Sequence, residues 1–116
     1  MKYNHIIASD IFESIPVITV EGDMTSDADS DVKSIYAELS KDHPMTQLII
    51  NFEKTKYINS SGIATLINII QNTNEKEGTV AFVGMSDHFK KVMEIVGITD
   101  FVTIYNTNQE AKEKMQ

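Results

Sequence analysis

The sequence predicts an α/β domain: a mixed, mostly parallel sheet of about five strands with about four helices. Three observations predict it. Short β-branched runs alternate with stretches whose apolar residues recur at helical spacing. The 116 residues suit one domain, read as 1–116, and a chain this long buries roughly two-thirds of the surface it exposes when unfolded. Composition is ordinary for a globular protein, with 41% hydrophobic and 23% charged residues.

The elements follow in order. HIIA (5–8) and IPVITV (15–20) read as two strands joined by a polar turn around SDIFES, with Pro16 at a strand start or edge. The first is expected at the edge, paired antiparallel. Ala28, Val32, Ile35, Tyr36 and Leu39 then form a helical stripe, and Ser26 and Asp29 stand three apart ahead of it as a cap. TQLIINF (46–52) is the third strand. Ile63, Leu66, Ile67 and Ile70 mark the second helix. TVAFV (79–83) is the fourth strand. Phe89, Val92, Met93 and Val96 mark the third helix, with Gly97 as its stop. FVTIY (101–105) is the fifth strand. Thr107 and Glu110 have capping-box spacing before a last helix that places Ala111 and Met115 on one side.

Strands separated by helices run parallel, and sites in such sheets gather at the strands' carboxyl ends. Residues 21–25, 57–62 and 84–87 are expected there as loops sharing one face. Met24 and Met85 in these loops suit adaptable protein contacts, and equally the filling of gaps in the core. Asp23 is read as bending its turn or meeting a partner. Gly22 and Gly84 are read as satisfying backbone geometry. Tyr3, Tyr36, Tyr57 and Tyr105 read as core or rim.

Composition excludes several functions. Without cysteine there are no disulfides, thiolate metal sites or cysteine nucleophiles, and a reducing, cytoplasmic setting is expected. The net charge is −7 with 10 basic residues, all lysine, so no nucleic-acid binding is expected. The longest apolar stretch, within 63–70, is broken by Thr65 and Asn68, far short of the roughly 20 residues a membrane span needs. The first residues carry one lysine and no long apolar run, unlike a signal peptide. No metal-ligand spacing joins His5, His43 and His88. Asp27, Asp29 and Asp31 lack the later glycine and glutamate of a calcium loop, and suit a helix N-terminus as solvated charges.

The richest stretch is YINSSGIATLINII (57–70). Asn59 or Ser60 can cap the helix that follows. Capping does not account for four small residues in a row, nor for Gly62 in a first turn, where glycine offers close approach of a backbone or ligand. A serine nucleophile would need a base, for which His88 is the sole candidate, and Ile58 stands where the nucleophile-elbow pattern needs its first glycine. The glycines and lysine of a phosphate-binding loop are missing as well. Phosphorylation is the sharpest reading. A helix N-terminus tolerates a phosphate, while a partner packed on small residues is expelled by its bulk and charge.

These residues carry a resemblance. LIINFEKTKYINSSGIATLINII (48–70) resembles the central block of STAS domains, specifically the bacterial anti-sigma factor antagonists. VITVEGDMT (17–25) resembles that family's second strand and Gly-Asp loop. Residues 79–111 resemble its fourth strand, third helix, Gly-Ile and Phe junction and last helix. The resemblance implies a single STAS domain with no enzymatic activity and no cofactor of its own. It implies binding to a partner that is both anti-sigma factor and serine kinase, phosphorylation of Ser60 by that kinase, and reversal by a PP2C-type phosphatase. The partner face implied comprises Gly22, Asp23, Met24, Asn59, Ser60, Ser61, Gly62, Thr65, Met85 and Ser86. Asn59 stands where the family has aspartate, which keeps the shape and one acceptor oxygen but drops the charge. The alternative is a non-switching STAS scaffold or adaptor in a signalling or transport complex.

Overall fold

The computed structural model describes residues 4–115; Tyr3 lies outside them. The chain runs β1 (His5–Phe12), β2 (Ile15–Met24), a 3-10 turn (Ser26–Ala28), α1 (Asp29–Asp42), β3 (Gln47–Asn51), β4 (Thr55–Ile58), α2 (Ser60–Glu75), β5 (Thr79–Val83), α3 (Asp87–Ile95), a 3-10 turn (Ile98–Asp100), β6 (Thr103–Tyr105) and α4 (Asn108–Met115). The sheet order is β1-β2-β3-β5-β6, with β4 paired to β2 off that path. Among the described residues β1–β2 is antiparallel, and β2–β3, β2–β4, β3–β5 and β5–β6 are parallel. The mixed, mostly parallel α/β sheet with an antiparallel edge strand is therefore as expected.

Strand alternation sorts side chains onto two faces. Ile18 and Val20 of β2, Leu48 and Ile50 of β3, and Val80 and Phe82 of β5 enter the main core, where Val32, Tyr36 and Leu39 of α1, Leu66, Ile69 and Ile70 of α2, and Phe89 and Met93 of α3 meet them. Ile15, Val17, Ile49, Ala81 and Val83 point the other way, onto Ala111 of α4. Burying each large side chain is worth roughly 1.5–3 kcal/mol. Phe52 and Phe82 meet edge-on in the main core, with ring centres 5.0 Å apart. The Tyr36 hydroxyl ties α1 to α2 through Thr73 Oγ1 at 2.9 Å, and Thr73 in turn donates to the Ile69 carbonyl.

Several expectations are corrected. The polar turn is only Glu13–Ser14, both with positive φ (48° and 81°), a two-residue hairpin turn whose twist matches the strands. β1 and β2 therefore run longer than expected. Residues 21–24 are strand rather than loop, with a bulge between Gly22 and Asp23. Residues 55–58 form β4 rather than a connecting stretch. Phe101 is 63% exposed and precedes β6. On α2, Ile69 is buried and Ile67 faces out; at the end of α3, Val96 is also exposed. The first cap is Thr25, whose Oγ1 accepts from the Asp27 N–H; Ser26 and Asp29 do not form it. Gly97 does end α3, in the left-handed conformation at φ 80°. Thr107 Oγ1 accepts from Glu110 N–H, and Glu110 Oε1 accepts from Asn106 N–H.

Candidate functional site

The first turn of α2 is built on the end of β2. β4 pairs Tyr57 with Asp23 and Ile58 with Met24, so the chain enters the helix beside the Met24 backbone. Asn59 N–H donates to the Met24 carbonyl at 3.3 Å. Asn59 is extended (φ −113°, ψ −175°), and its Oδ1 accepts from Gly62 N–H at 3.0 Å. Asn59 thus caps the helix, by a carbonyl oxygen that asparagine shares with aspartate.

This assignment leaves Ser60 outside the cap. It is the first residue of α2, and it is exposed, as is Ser61. No acidic residue stands in this first turn. The site therefore combines an accessible hydroxyl, helical N–H groups at the start of α2 and a first turn free of acidic side chains. Gly62 is buried, and a Cβ there would overlap the Met24 carbonyl oxygen. The close approach inferred from sequence is thus made by backbone, and it seats α2 on β2.

Thr65 is 3% exposed and works inward. Its hydroxyl donates to Asp29 Oδ1 at 2.5 Å, with the Ser61 carbonyl at 3.2 Å beside it. Lys33 Nζ lies 3.0 Å from the other Asp29 oxygen. The Thr65 hydrogen bond first, and the Lys33 contact second, hold the Asp29 carboxyl below its ordinary value. Because the folded value is the lower one, the stabilisation is complete above about pH 4 and is lost as pH falls through the folded value. Asp29→Asn should therefore flatten the acid side of a stability–pH curve measured by denaturant titration. An unchanged slope would contradict the coupling.

The other expected contacts divide. Met24 is 0% and Met85 7% exposed, both within the main core. Their burial bears out gap-filling rather than partner contact: Met24 follows β2 inward, and Met85 enters the core from the loop between β5 and α3. Gly22 (φ 85°) opens the bulge, and its N–H donates to the Lys54 carbonyl at 2.9 Å. Asp23 latches the start of β1, through its N–H to the Asn4 carbonyl at 2.9 Å and its carboxylate to the Asn4 N–H at 3.3 Å. Gly84 (φ 73°) packs against Glu53 in the turn that follows β3. Ser86 is exposed and caps α3 by accepting from Phe89 N–H at 3.1 Å. His88 is exposed on that helix, and among the described residues no hydrogen bond joins it to Ser60.

A cleft of about 360 Å³ runs beside the serines, between α1 and α2, with Ser26, Asp29, Lys33, Ser61 and Asn68 in its walls. Sequence reading missed it, because Asp29 reads as a solvated helix-end charge until the fold sets Thr65 against it. Among the described residues no group of three or more His, Asp or Glu gathers to hold a metal, and no helix is long and apolar enough to cross a membrane.

The model of a family described as the STAS domain matches residues 7–111. An anti-sigma factor antagonist from Mycobacterium paratuberculosis superposes with TM-score 0.81 at 14% identity, covering 96% of this chain and 93% of that one. The phosphorylated form of SpoIIAA, a Bacillus cell fate determinant, does so with TM-score 0.73 at 18% identity, covering 96% and 100%. A sulfate transporter family protein from Wolinella succinogenes gives TM-score 0.75 at 11% identity, covering 88% and 84%. None of the curated proteins compared with the chain matches it significantly.

Proposed function

The chain belongs to the STAS domain family, and from that premise we propose that it is an anti-sigma factor antagonist switched by phosphorylation of Ser60. It binds a partner that is both anti-sigma factor and serine kinase, and a PP2C-type phosphatase resets it. The chain acts by binding and needs no enzymatic activity or cofactor; the phosphoryl donor is held by the kinase. The observation that carries this reading is the division of labour at the helix start. Asn59 does the capping, so the exposed Ser60 hydroxyl is available for transfer.

The physics supports a switch that spares the fold. A phosphate adds about −1.5 to −2 charges and faces the positive end of α2, a favourable interaction of roughly 0.3–1 kcal/mol at an exposed site. The neighbouring Ser61 and buried Gly62 leave a low surface on which a partner can pack closely. The same phosphate would overlap that partner and strip water from two charges at once.

A second reading has one observation behind it. Asn59 carries no charge, and a kinase that uses a carboxylate beside the serine would find none here. The chain would then be a constitutive adaptor in a signalling or transport complex. Incubation with ATP, magnesium and a candidate serine kinase, followed by mass mapping, separates the two. The switch predicts one added phosphate, on Ser60. Phosphate on Ser61 alone contradicts the site, and an unmodified chain that still binds the kinase favours the adaptor.

A further inference from the structure

Away from Ser60, the far half of α2 and the connection from α3 to β6 enclose an open groove of about 500 Å³. Its floor is Ile70 and Ile98, at 4% and 3% exposure; its rims are Ile67, Val96 and Phe101, at 38%, 45% and 63%. Three exposed apolar side chains thus border one depression, which marks a binding surface more than scattered exposure does. We propose that this groove receives an amphipathic helix of a partner protein, with apolar side chains one turn apart and a lysine or arginine at its edge.

Two features select that occupant. The walls are a helix and a turn, and among the described residues no strand lines the groove. An incoming backbone therefore finds no sheet edge to pair with and must satisfy its own hydrogen bonds, which a helix does. The charge is one-sided. Among the described residues Glu75 is the one charged side chain in the lining, and it sits at the carbonyl end of α2, where no basic residue occupies the last turn and Lys76 at the cap turns away to Ser40 and the Tyr36 ring. Carboxylate and helix dipole together favour a cation. A second copy of this chain would instead set Glu75 near its own image and bring together two molecules of charge −7. The surface is separate from the serine switch and stands without it.

The test uses the isotope-labelled full chain and a peptide of about 15 residues with leucines at i, i+3, i+4 and i+7 and lysines along both edges. Amide shifts should fall on residues 67–75 and 96–101. A scrambled peptide of equal composition should leave them still, a glutamate-for-lysine version should bind roughly tenfold more weakly, and Glu75→Lys should reverse that preference. Phe101→Asp should abolish the shifts; if that variant does not fold, Ile67→Asp serves at the opposite rim. Shifts centred on the acidic start of α1, equal binding of the scrambled peptide, groove shifts that grow with protein concentration alone, or groove shifts from a dodecyl chain but not from the peptide would each overturn the assignment.

Discussion

Ser60→Glu is expected to weaken binding to the kinase partner on the order of 100-fold while changing the stability of the free chain by less than about 1 kcal/mol. The two numbers have different origins. On the free protein the carboxylate stands at the amino end of a 16-residue helix with no acidic neighbour in its first turn, so the dipole acts in its favour. In the complex the same charge is desolvated against a surface that accommodated a serine, and an unpaired buried charge costs about 2–5 kcal/mol. Ser60→Ala removes the acceptor hydroxyl and adds no charge, so it should bind near normally and escape phosphorylation. Titration calorimetry with both variants, beside denaturant melts, measures each effect. Equal affinity of wild type and Ser60→Glu would favour the adaptor reading.

Gly62→Ala is expected to destabilise the fold by about 1–3 kcal/mol. Helix propensity alone gives the opposite sign, because alanine is better than glycine in a helix by up to about 1 kcal/mol. The overlap decides. The added Cβ meets the carbonyl oxygen of Met24, a backbone atom whose strand is held by β1 on one side and by β4 on the other. A flexible side chain would swing away; this atom cannot, so α2 must lift from β2 or β2 must bend. A chemical melt of the purified variant reads the change. A stabilised Gly62→Ala would mean that the close seating of α2 on β2 contributes nothing.

Most of the sheet was legible from sequence because β2, β3 and β5 carry β-branched runs buried on both faces, a pattern that needs no knowledge of neighbours. β4 was not. TKYI is short, half polar and half exposed, and it becomes a strand because β2 runs on past its pairing with β3 as far as Met24 and gives it an edge to pair with. The same extension of β2 explains Met24, which reads as a loop residue by its Gly-Asp neighbours and is a core residue by its strand. The wrong face at Ile67 has a different cause. α2 carries isoleucine or leucine at 63, 66, 67, 69 and 70, too many for periodicity to single out one stripe. Thr65 and Thr73 decide the face, because each buries its hydroxyl in a hydrogen bond that only the assembled fold supplies.

The site was legible in outline. Asn59, Ser60, Ser61 and Gly62 announce a helix start with unusually small residues, and the fold brings them onto one turn. The division of duties within it was hidden. Both Asn59 and Ser60 are competent caps, and the extended backbone at Asn59 assigns the role. Asp29 was invisible as a member of this neighbourhood, because its link to Thr65 spans 36 residues.

Stoichiometric phosphorylation of Ser60, followed on one sample by an amide NMR spectrum and then by titration with the kinase, tests the central claim most directly. A dispersed spectrum with shifts confined to the start of α2 and the neighbouring turn of α1, together with lost binding, is the predicted pair of results. A collapsed spectrum, or a phosphorylated chain that binds its partner as tightly as before, contradicts it.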